Sequence, residues 1–225
     1  MASYNFYPAS RKRSFNLGIN TTIILVNVLA FLTFVILLAI YKGNPETLYN
    51  FVALKPSNIL QGKYLWTFLT SMFMHGGFFH LFVNMLSLFF IGSLLVKILG
   101  PKRYFIFYLI SGLFAGLLFV LIAYLFQTDM NTFAVGASGA LFGLIGVLMF
   151  LTPNLKVYVM FIPIPIKLKY AAPGILVLLW LVSIAGDVPI GNVAHLGGLL
   201  CGVAYGIYLR KKYKNKTKVI QKMFS

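Results

Sequence analysis

Residues 134–151 read AVGASGALFGLIGVLMFL and carry no charged side chain. As an α-helix this run would be about 27 Å long, close to the roughly 30 Å of a bilayer's hydrocarbon core. Its glycines recur at spacings of three and four, at Gly136, Gly139, Gly143 and Gly146. Small residues at that spacing let helix backbones approach closely in lipid. The stretch therefore predicts a membrane-spanning helix with a glycine packing face.

Six apolar runs of comparable length organise the chain. They cover residues 19–41, 78–99, 104–126, 134–151, 171–185 and 193–209. Hydrophobic residues make up 60% of the 225 residues and charged residues only 10%, whereas about a quarter of a typical soluble domain is charged. So few charges could not cover a water-exposed surface. We therefore predict an all-α membrane protein, a six-transmembrane helical bundle over residues 19–209.

Two connections between the runs differ from short turns. Residues 42–77 form a long first loop rich in apolar and aromatic side chains such as Trp66, which favours a position in the membrane interface. Residues 154–169 contain two prolines and three lysines, and we expect them to lie on the surface. The segments outside the bundle, residues 1–18 and 210–225, are basic and are predicted to be cytoplasmic.

Basic residues collect at alternate ends of the runs. Sixteen of the nineteen lysines and arginines fall in or beside the N-terminal segment, the second and fourth connections and the C-terminal segment. The acidic residues Glu46, Asp129 and Asp187 all fall in the other connections. Cytoplasmic segments of membrane proteins collect Lys and Arg, so both termini are predicted inside. The net charge of +16 is then expected to face anionic lipids at the cytoplasmic surface, and no nucleic acid.

A few strongly polar residues lie within the runs, where they are costly and mark a functional site by default. His80 and Asn84 occur near the start of the second run, Ser138 near the start of the fourth and His195 near the start of the sixth. All three starts lie on the predicted outer side. These side chains therefore fall at one depth, which is the condition for them to meet.

A second glycine face supports this meeting. Gly198, Gly202 and Gly206 recur every four residues in the sixth run, and His195 lies three residues before the first of them. We therefore predict that the fourth and sixth helices pack closely, with Ser138 and His195 side by side.

A serine beside a neutral imidazole has a defined chemistry. His195 could accept the Ser138 hydroxyl proton and later return it to a leaving group. His80 and Asn84, four residues apart on one helix face, could both donate hydrogen bonds to an oxyanion, and the Ser138 amide is a further donor. No carboxylate is a good third member, because Asp129 lies in a connection and Asp187 is separated from the histidine by a loop. The residues predict a Ser/His dyad.

Other interpretations remain open on these residues alone. The glycines could merely pack helices, and His80 and Asn84 could form an interhelical hydrogen bond. A zinc protease would require a Glu next to its histidines, and none follows Glu46. No metal or cofactor is therefore expected. A small transporter would predict internal repeats or half-helices broken at mid-membrane, which the sequence does not show.

Three motifs together identify a resemblance. They are HGGFFHLFVN at residues 75–84, GASGALFG at 136–143 and NVAHLGG at 192–198. In this order, and with the six-run layout, they resemble the rhomboid family of intramembrane serine proteases. The likeness extends over nearly all of residues 19–209.

The resemblance implies roles for individual residues. Ser138 matches the family's nucleophile and His195 its general base, while His80 and Asn84 match the residues that stabilise the oxyanion. Phe142 matches an aromatic that stacks on the catalytic histidine. The family cleaves transmembrane segments of other membrane proteins near the outer face and uses no cofactor. Its fifth helix is thought to gate access from lipid.

The chain departs from the family pattern at two places. Thr67 follows Trp66, where many members have an arginine, and Phe142 stands where a tyrosine is frequent. Neither change alters Ser138 or His195, the two members of the dyad. A bacterial plasma membrane is the expected location, and the oligomeric state is not predicted. The alternative function is a catalytically silent protein that binds single-span clients without cleaving them.

Overall fold

The computed structural model describes residues 18–159, 163–186 and 191–224, and helices dominate it. The basic residues Arg11, Lys12 and Arg13, and Asp187, lie outside the described residues. The helices are α1 (Ile19–Ile40), α2 (Pro45–Val52), α3 (Pro56–Leu60), α4 (Thr67–Thr70), α5 (Phe78–Ser87), α6 (Ser93–Leu99), α7 (Pro101–Phe126), α8 (Ser138–Leu151), α9 (Leu168–Gly186), α10 (Asn192–Lys212) and α11 (Lys214–Met223). A 3₁₀ turn (Ser71–Phe73), a π-helical segment (Leu88–Gly92) and two short strands, β1 (Lys156–Val157) and β2 (Ile166–Lys167), complete the elements.

Each of the six predicted runs contains a helix of the bundle. Within the described residues, five helical segments are long and apolar enough to cross a membrane: α1, the continuous helix from α5 through the π segment to α6, α7, α9 and α10. The sixth, α8, is apolar but has only 14 residues. The predicted fold class is confirmed, since the chain is a helical membrane bundle of about six spans.

The π-helical segment has a polar partner on α1. Asn20 donates a hydrogen bond from Nδ2 to the Leu88 carbonyl at 2.8 Å and accepts one at Oδ1 from the Tyr104 hydroxyl at 2.6 Å. Both Asn20 and Tyr104 are buried. Because an unpaired carbonyl is costly away from water, this contact stabilises the widened turn and ties three helices together.

The central helix of the bundle is α8. Ten of its fourteen residues are buried, and α7 and α10 pack along it. It begins at Ser138, so the predicted start at residue 134 was wrong by one turn. Residues 134–137 are held out of the helix instead, because Ala134 pairs with Leu54 as an isolated β-bridge and the Gly136 amide donates to the Ser71 carbonyl at 2.8 Å.

Glycines bring α8 and α10 into backbone contact. A Cβ on Gly198 would overlap the Gly139 carbonyl, and a Cβ on Gly202 would overlap the Gly143 carbonyl. In the same contact, a Cβ on Gly146 of α8 would come within 2.7 Å of the Leu199 carbonyl of α10. The two predicted glycine faces therefore meet, and any larger side chain there would force the helices apart.

The long first loop folds against the C-terminal half of α7. Leu54 packs on Phe119 and Val120 there. Trp66, which lacks the expected arginine after it, is fixed in another way: its indole donates to the Phe51 carbonyl at 2.9 Å and its ring lies against that of Phe51. The loop's place in the membrane interface stays a prediction.

At the other end of the bundle, two elements extend the predicted layout. The segment 154–169 contains the antiparallel pair β1 and β2; its residues 160–162 are not among those that the structure describes. Helix α9 begins at Leu168 instead of the predicted residue 171. Beyond the predicted boundary at residue 209, α10 continues to Lys212 and α11 folds back under α8.

Candidate active site

Two helix beginnings bring Ser138 and His195 together. Ser138 is the first residue of α8, and His195 lies in the first turn of α10, where its amide donates to the Gly191 carbonyl. His195 Nε2 lies 2.8 Å from Ser138 Oγ, within hydrogen-bond distance. The imidazole is 7% exposed, whereas Ser138 is half-buried. The contact predicted from the glycine faces is therefore present.

Phe142 fixes the plane of the imidazole. Its ring lies nearly parallel to that of His195, with centroids 4.7 Å apart and an interplanar angle of 21°. Phe142 lies one turn after Ser138 on the same face of α8. Between them, Gly139 lies against Ala115 of α7, where a Cβ would come within 2.8 Å of the alanine methyl. The first turn of α8 is thus confined on both sides.

His80 approaches the site from α5. Its Nδ1 accepts a weak hydrogen bond from the Gly76 amide at 3.5 Å, which favours the tautomer with the proton on Nε2. A Cβ on Gly136 would lie 2.9 Å from His80 Nε2 and 3.5 Å from Ser138 Oγ. Gly136 also has φ +127, a conformation that other residues rarely adopt. A glycine is therefore required between the histidine and the serine.

The Asn84 amide is held by its own helix. Its Nδ2 donates to the His80 carbonyl one turn back, at 2.8 Å. Its Oδ1 is buried without a hydrogen-bond partner among the described residues. No hydrogen bond joins Asn84 to Ser138, both of which lie in the described ranges. The structure therefore brings His80 beside the serine loop and leaves Asn84 one turn deeper.

The second histidine of the 75–84 motif supports His80. His75 is 2% exposed, and its ring meets that of His80 edge to face at 5.1 Å. Burial, reinforced by the proximity of His80, lowers the pKa of His75 to about 3. His75 is therefore uncharged at neutral pH and packs as an aromatic ring behind His80.

Sequence reasoning missed residues that position the site from a distance. The backbones of Leu54 and Ser71 form hydrogen bonds with residues 134–136. No local sequence pattern predicts hydrogen bonds between segments so far apart in the chain. Ser111 of α7 is a different case. It is fully buried against Gly143, and small residues at 111, 112, 115 and 116 already mark this face of α7.

The arrangement suits proton transfer between a serine and a histidine. Nε2 of His195 faces the hydroxyl, while Nδ1 is buried and has no hydrogen-bond partner in the described ranges. The first amides of α8, including that of Ser138, have no intrahelical acceptor. They are therefore available to a negative charge that develops beside Ser138.

Comparison with known proteins agrees with the three motifs. The family model for the rhomboid domain matches residues 62–212. RHOMBOID-like protein 1 of Arabidopsis thaliana is 36% identical over 163 residues, which are 71% of this chain and 38% of that protein. The mitochondrial Rhomboid protein 1 of Saccharomyces cerevisiae is 32% identical over 149 residues, 63% of this chain and 41% of that protein.

A further relative carries a different description. Inactive RHOMBOID-like protein 8 of Arabidopsis thaliana is 32% identical over 158 residues, 69% of this chain and 41% of that protein. The chain spans about half or less of the length of these relatives. The family model nevertheless covers more than half of the chain and includes all the site residues described above. The chain therefore belongs to the rhomboid family.

Proposed function

We propose that this protein is an intramembrane serine endopeptidase that cleaves transmembrane segments of membrane-protein substrates near the outer membrane face. The observation that carries the proposal is the 2.8 Å contact between His195 Nε2 and Ser138 Oγ in a chain of the rhomboid family. The stacked Phe142 ring supports it, because a general base needs a fixed orientation toward the proton it accepts.

The proposed reaction proceeds through an acyl-enzyme. His195 Nε2 accepts the Ser138 proton as Oγ bonds to the substrate carbonyl carbon. The tetrahedral intermediate then breaks the C–N bond, and the imidazolium returns the proton to the leaving amine. Water, deprotonated by the same imidazole, hydrolyses the ester and restores the serine. Neither step consumes a cofactor.

Three donors would stabilise the oxyanion. The Ser138 amide lies at the beginning of α8, where the helix dipole favours negative charge. His80 Nε2 lies on the other side of Gly136. The second amide hydrogen of Asn84 remains available beside its bond to the His80 carbonyl, and we assign it as the third donor. Loss of one such donor costs about 3 kcal/mol in a soluble protease.

Substrate access is proposed from the lipid beside α9. The buried residues of α9 are Leu168, Ala171, Ala172 and Leu176, all in its first half. Residues 177–186 are largely exposed. They lead toward the beginning of α10, at the depth of His195. If this half of α9 moved aside for a substrate helix, the core would lose only the partly buried contacts of Leu179 and Trp180 with the Phe142 cluster.

The proposal extends to location and orientation. A bacterial plasma membrane with both termini cytoplasmic is supported by the basic inner segments, although relatives include a mitochondrial protein. A reporter enzyme that is active only in the periplasm, fused after Phe224, should be inactive. A fusion after Asn131 should be active, and the reverse pattern would contradict the orientation.

The catalytic roles can be tested with a fluorophosphonate probe on detergent-solubilised protein. Wild type should be labelled, whereas Ser138→Ala and His195→Ala should not. Ser111→Ala serves as the matched control, because it removes another buried bundle serine, and it should keep its labelling. Labelling that persists in Ser138→Ala would exclude this serine as the nucleophile.

A catalytically silent client-binding protein is the second candidate. It is favoured by the similarity to Inactive RHOMBOID-like protein 8. A folded wild type that stays unlabelled and releases an intact single-span client after co-reconstitution would establish this function. Cleavage of that client in vesicles, lost in Ser138→Ala, would exclude it.

A further inference from the structure

A basic cavity lies at the end of the bundle remote from Ser138. It has a volume of about 510 Å³, is partly open to the surface, and is bordered by the last turn of α8, the end of α10 and α11. Four cationic side chains line it: Arg210, Lys211, Lys214 and Lys218. The proposed peptidase chemistry does not use any of them, since that chemistry occurs at the opposite end of α8.

These four charges are uncompensated. None has a hydrogen-bond or ion-pair partner among the described side chains. The acidic residues within the described ranges are Glu46, which pairs with Lys55 at 3.0 Å, and Asp129, which accepts from Thr132. Both belong to connections at the Ser138 end. Lys214 and Lys218 lie one helical turn apart, and like charges at that spacing destabilise a helix. An anion bound between them would offset this repulsion.

Neighbouring basic side chains, which have no carboxylate partner within the described ranges, form cation–π contacts with tyrosine rings. The Arg103 guanidinium lies over the Tyr213 ring at 5.7 Å, and the Lys212 ammonium lies over the Tyr208 ring at 5.2 Å. Such contacts stabilise exposed cations. The cavity lysines have no comparable ring among the described residues, which separates them from the other basic residues at this end.

The walls of the cavity are fixed by packing. Gln221 Nε2 donates to the Phe150 carbonyl of α8 at 3.2 Å, and Thr217 is buried with its hydroxyl on the Tyr213 carbonyl. These contacts hold α11 against the bundle. The cations therefore surround a defined space instead of projecting from a solvated tail.

Apolar groups adjoin the charges. Phe150 and Ile207 line the same cavity, and Ile207 is continuous with the exposed apolar face of α10. On α11, Val219 and Met223 are 61% and 73% exposed, one turn apart. A free anion would make no use of Phe150 and Ile207, whereas a phospholipid would also pack its acyl chains against them.

We propose that this cavity binds the headgroup phosphate of an anionic phospholipid, with the acyl chains along Phe150 and Ile207. Four cations complement the phosphate charge, and the apolar wall selects a lipid over a soluble phosphate. The site does not depend on the proposed peptidase activity.

Native mass spectrometry of the full chain in neutral detergent tests the site, because a micelle without anionic lipid lacks a general surface potential. Phosphatidylglycerol and phosphatidylcholine are titrated separately. Wild type should bind phosphatidylglycerol more tightly. The double variant Lys214→Gln/Lys218→Gln should bind it about 30-fold more weakly, the product of roughly 5-fold for each lysine.

The matched control is Lys102→Gln/Lys216→Gln, which removes the same charge from the same end of the bundle but outside the cavity. It should retain wild-type affinity. Equal affinity for both lipids, or equal losses in both double variants, would overturn the site. Displacement of the lipid by inorganic phosphate at a similar concentration would overturn the lipid and indicate a soluble anion. Circular dichroism verifies that each variant is folded.

Discussion

Helices α10 and α9 both pack on α8, and they do so in opposite ways. The contact with α10 is made of backbone on backbone, with Gly139, Gly143 and Gly202 at its centre. The contact with α9 is made of side chains, with Ala172 and Leu176 of its first half buried against Phe142 and Leu179 and Trp180 of its second half only partly buried. A methyl group added to Gly174 of α9 would meet no atom within 4 Å.

The two contacts meet two different requirements of the proposed intramembrane peptidase. A serine and a histidine on different helices keep a 2.8 Å contact only if those helices cannot slide, and close backbone packing resists sliding. A large substrate, in contrast, needs a side of the bundle that opens at little cost. The rigid contact therefore lies where the chemistry is proposed, and the loose contact lies where lipid meets the site.

The largest effect is expected from Gly202→Ala. The new methyl would overlap the Gly143 carbonyl, so α8 and α10 must separate and Ser138 must move from His195. A displacement of about 1 Å costs roughly 100-fold in rate, measured as cleavage of a single-span substrate in vesicles. Gly174→Ala is the matched control and should keep wild-type activity. Equal losses in the two variants would contradict the comparison.

A smaller loss, of stability, is expected from Leu199→Ala. Leu199 of α10 is 7% exposed and packs with Phe142, whereas Leu181 of α9 is 59% exposed. Truncation of the buried leucine leaves a cavity and should lower the free energy of unfolding by about 2 kcal/mol. Leu181→Ala should change it by less than about 0.5 kcal/mol. Denaturant titration in detergent measures both, and a larger loss in Leu181→Ala would show that α9 is not the loose side.

Replacement of Phe142 by leucine isolates the stacked ring. The change keeps an apolar side chain but removes the stacking contact with the imidazole, and we expect about a 5-fold lower kcat, which corresponds to an aromatic pair worth about 1 kcal/mol. Phe107→Leu is closely matched, because Phe107 is equally buried and stacks on Tyr205 at 4.7 Å and 20°. That control should lose stability without slower acylation by the fluorophosphonate probe. A rate loss shared by both variants would assign the effect to stability.

The smallest effect at neutral pH is expected at His75, outside both helix contacts. Burial holds the pKa of this side chain near 3, below the ordinary value of about 6.5. The contribution of His75 to the free energy of unfolding is therefore complete above pH 6.5. It is lost as pH falls toward 3, because His75 takes up a proton in the unfolded chain before it does so in the folded one. The Tm of His75→Gln should decline about 4 to 8 °C less than that of wild type between pH 7 and pH 5. Parallel declines would contradict the assignment.

Much of the site could be predicted because its elements are local patterns. The spacing of Gly136, Gly139 and Gly143 predicts a packing face, and the position of His195 before Gly198 predicts which face it shares. Phe142 and Ser138 lie one turn apart on any helix. Periodicity is a property of neighbouring residues, so the sequence carries it directly.

Other features depended on distant partners. The beginning of α8 was predicted one turn early, since apolar residues 134–137 look helical until Leu54 and Ser71 bind their backbone. The π-helical segment exists where Asn20 reaches the Leu88 carbonyl. Asn84 shares a helix face with His80, but its amide donates to a backbone carbonyl instead of the serine loop.

The sequence by itself determined the membrane class, the number of apolar runs and the glycine face that joins Ser138 to His195. These follow from composition and period, which need no knowledge of contacts. Only the tertiary structure decided where α8 begins, which helix is loosely held and that Arg210, Lys211, Lys214 and Lys218 line one cavity. Each of these depends on the angle and distance between segments far apart in the chain, and free energies of packing, not local patterns, set those values.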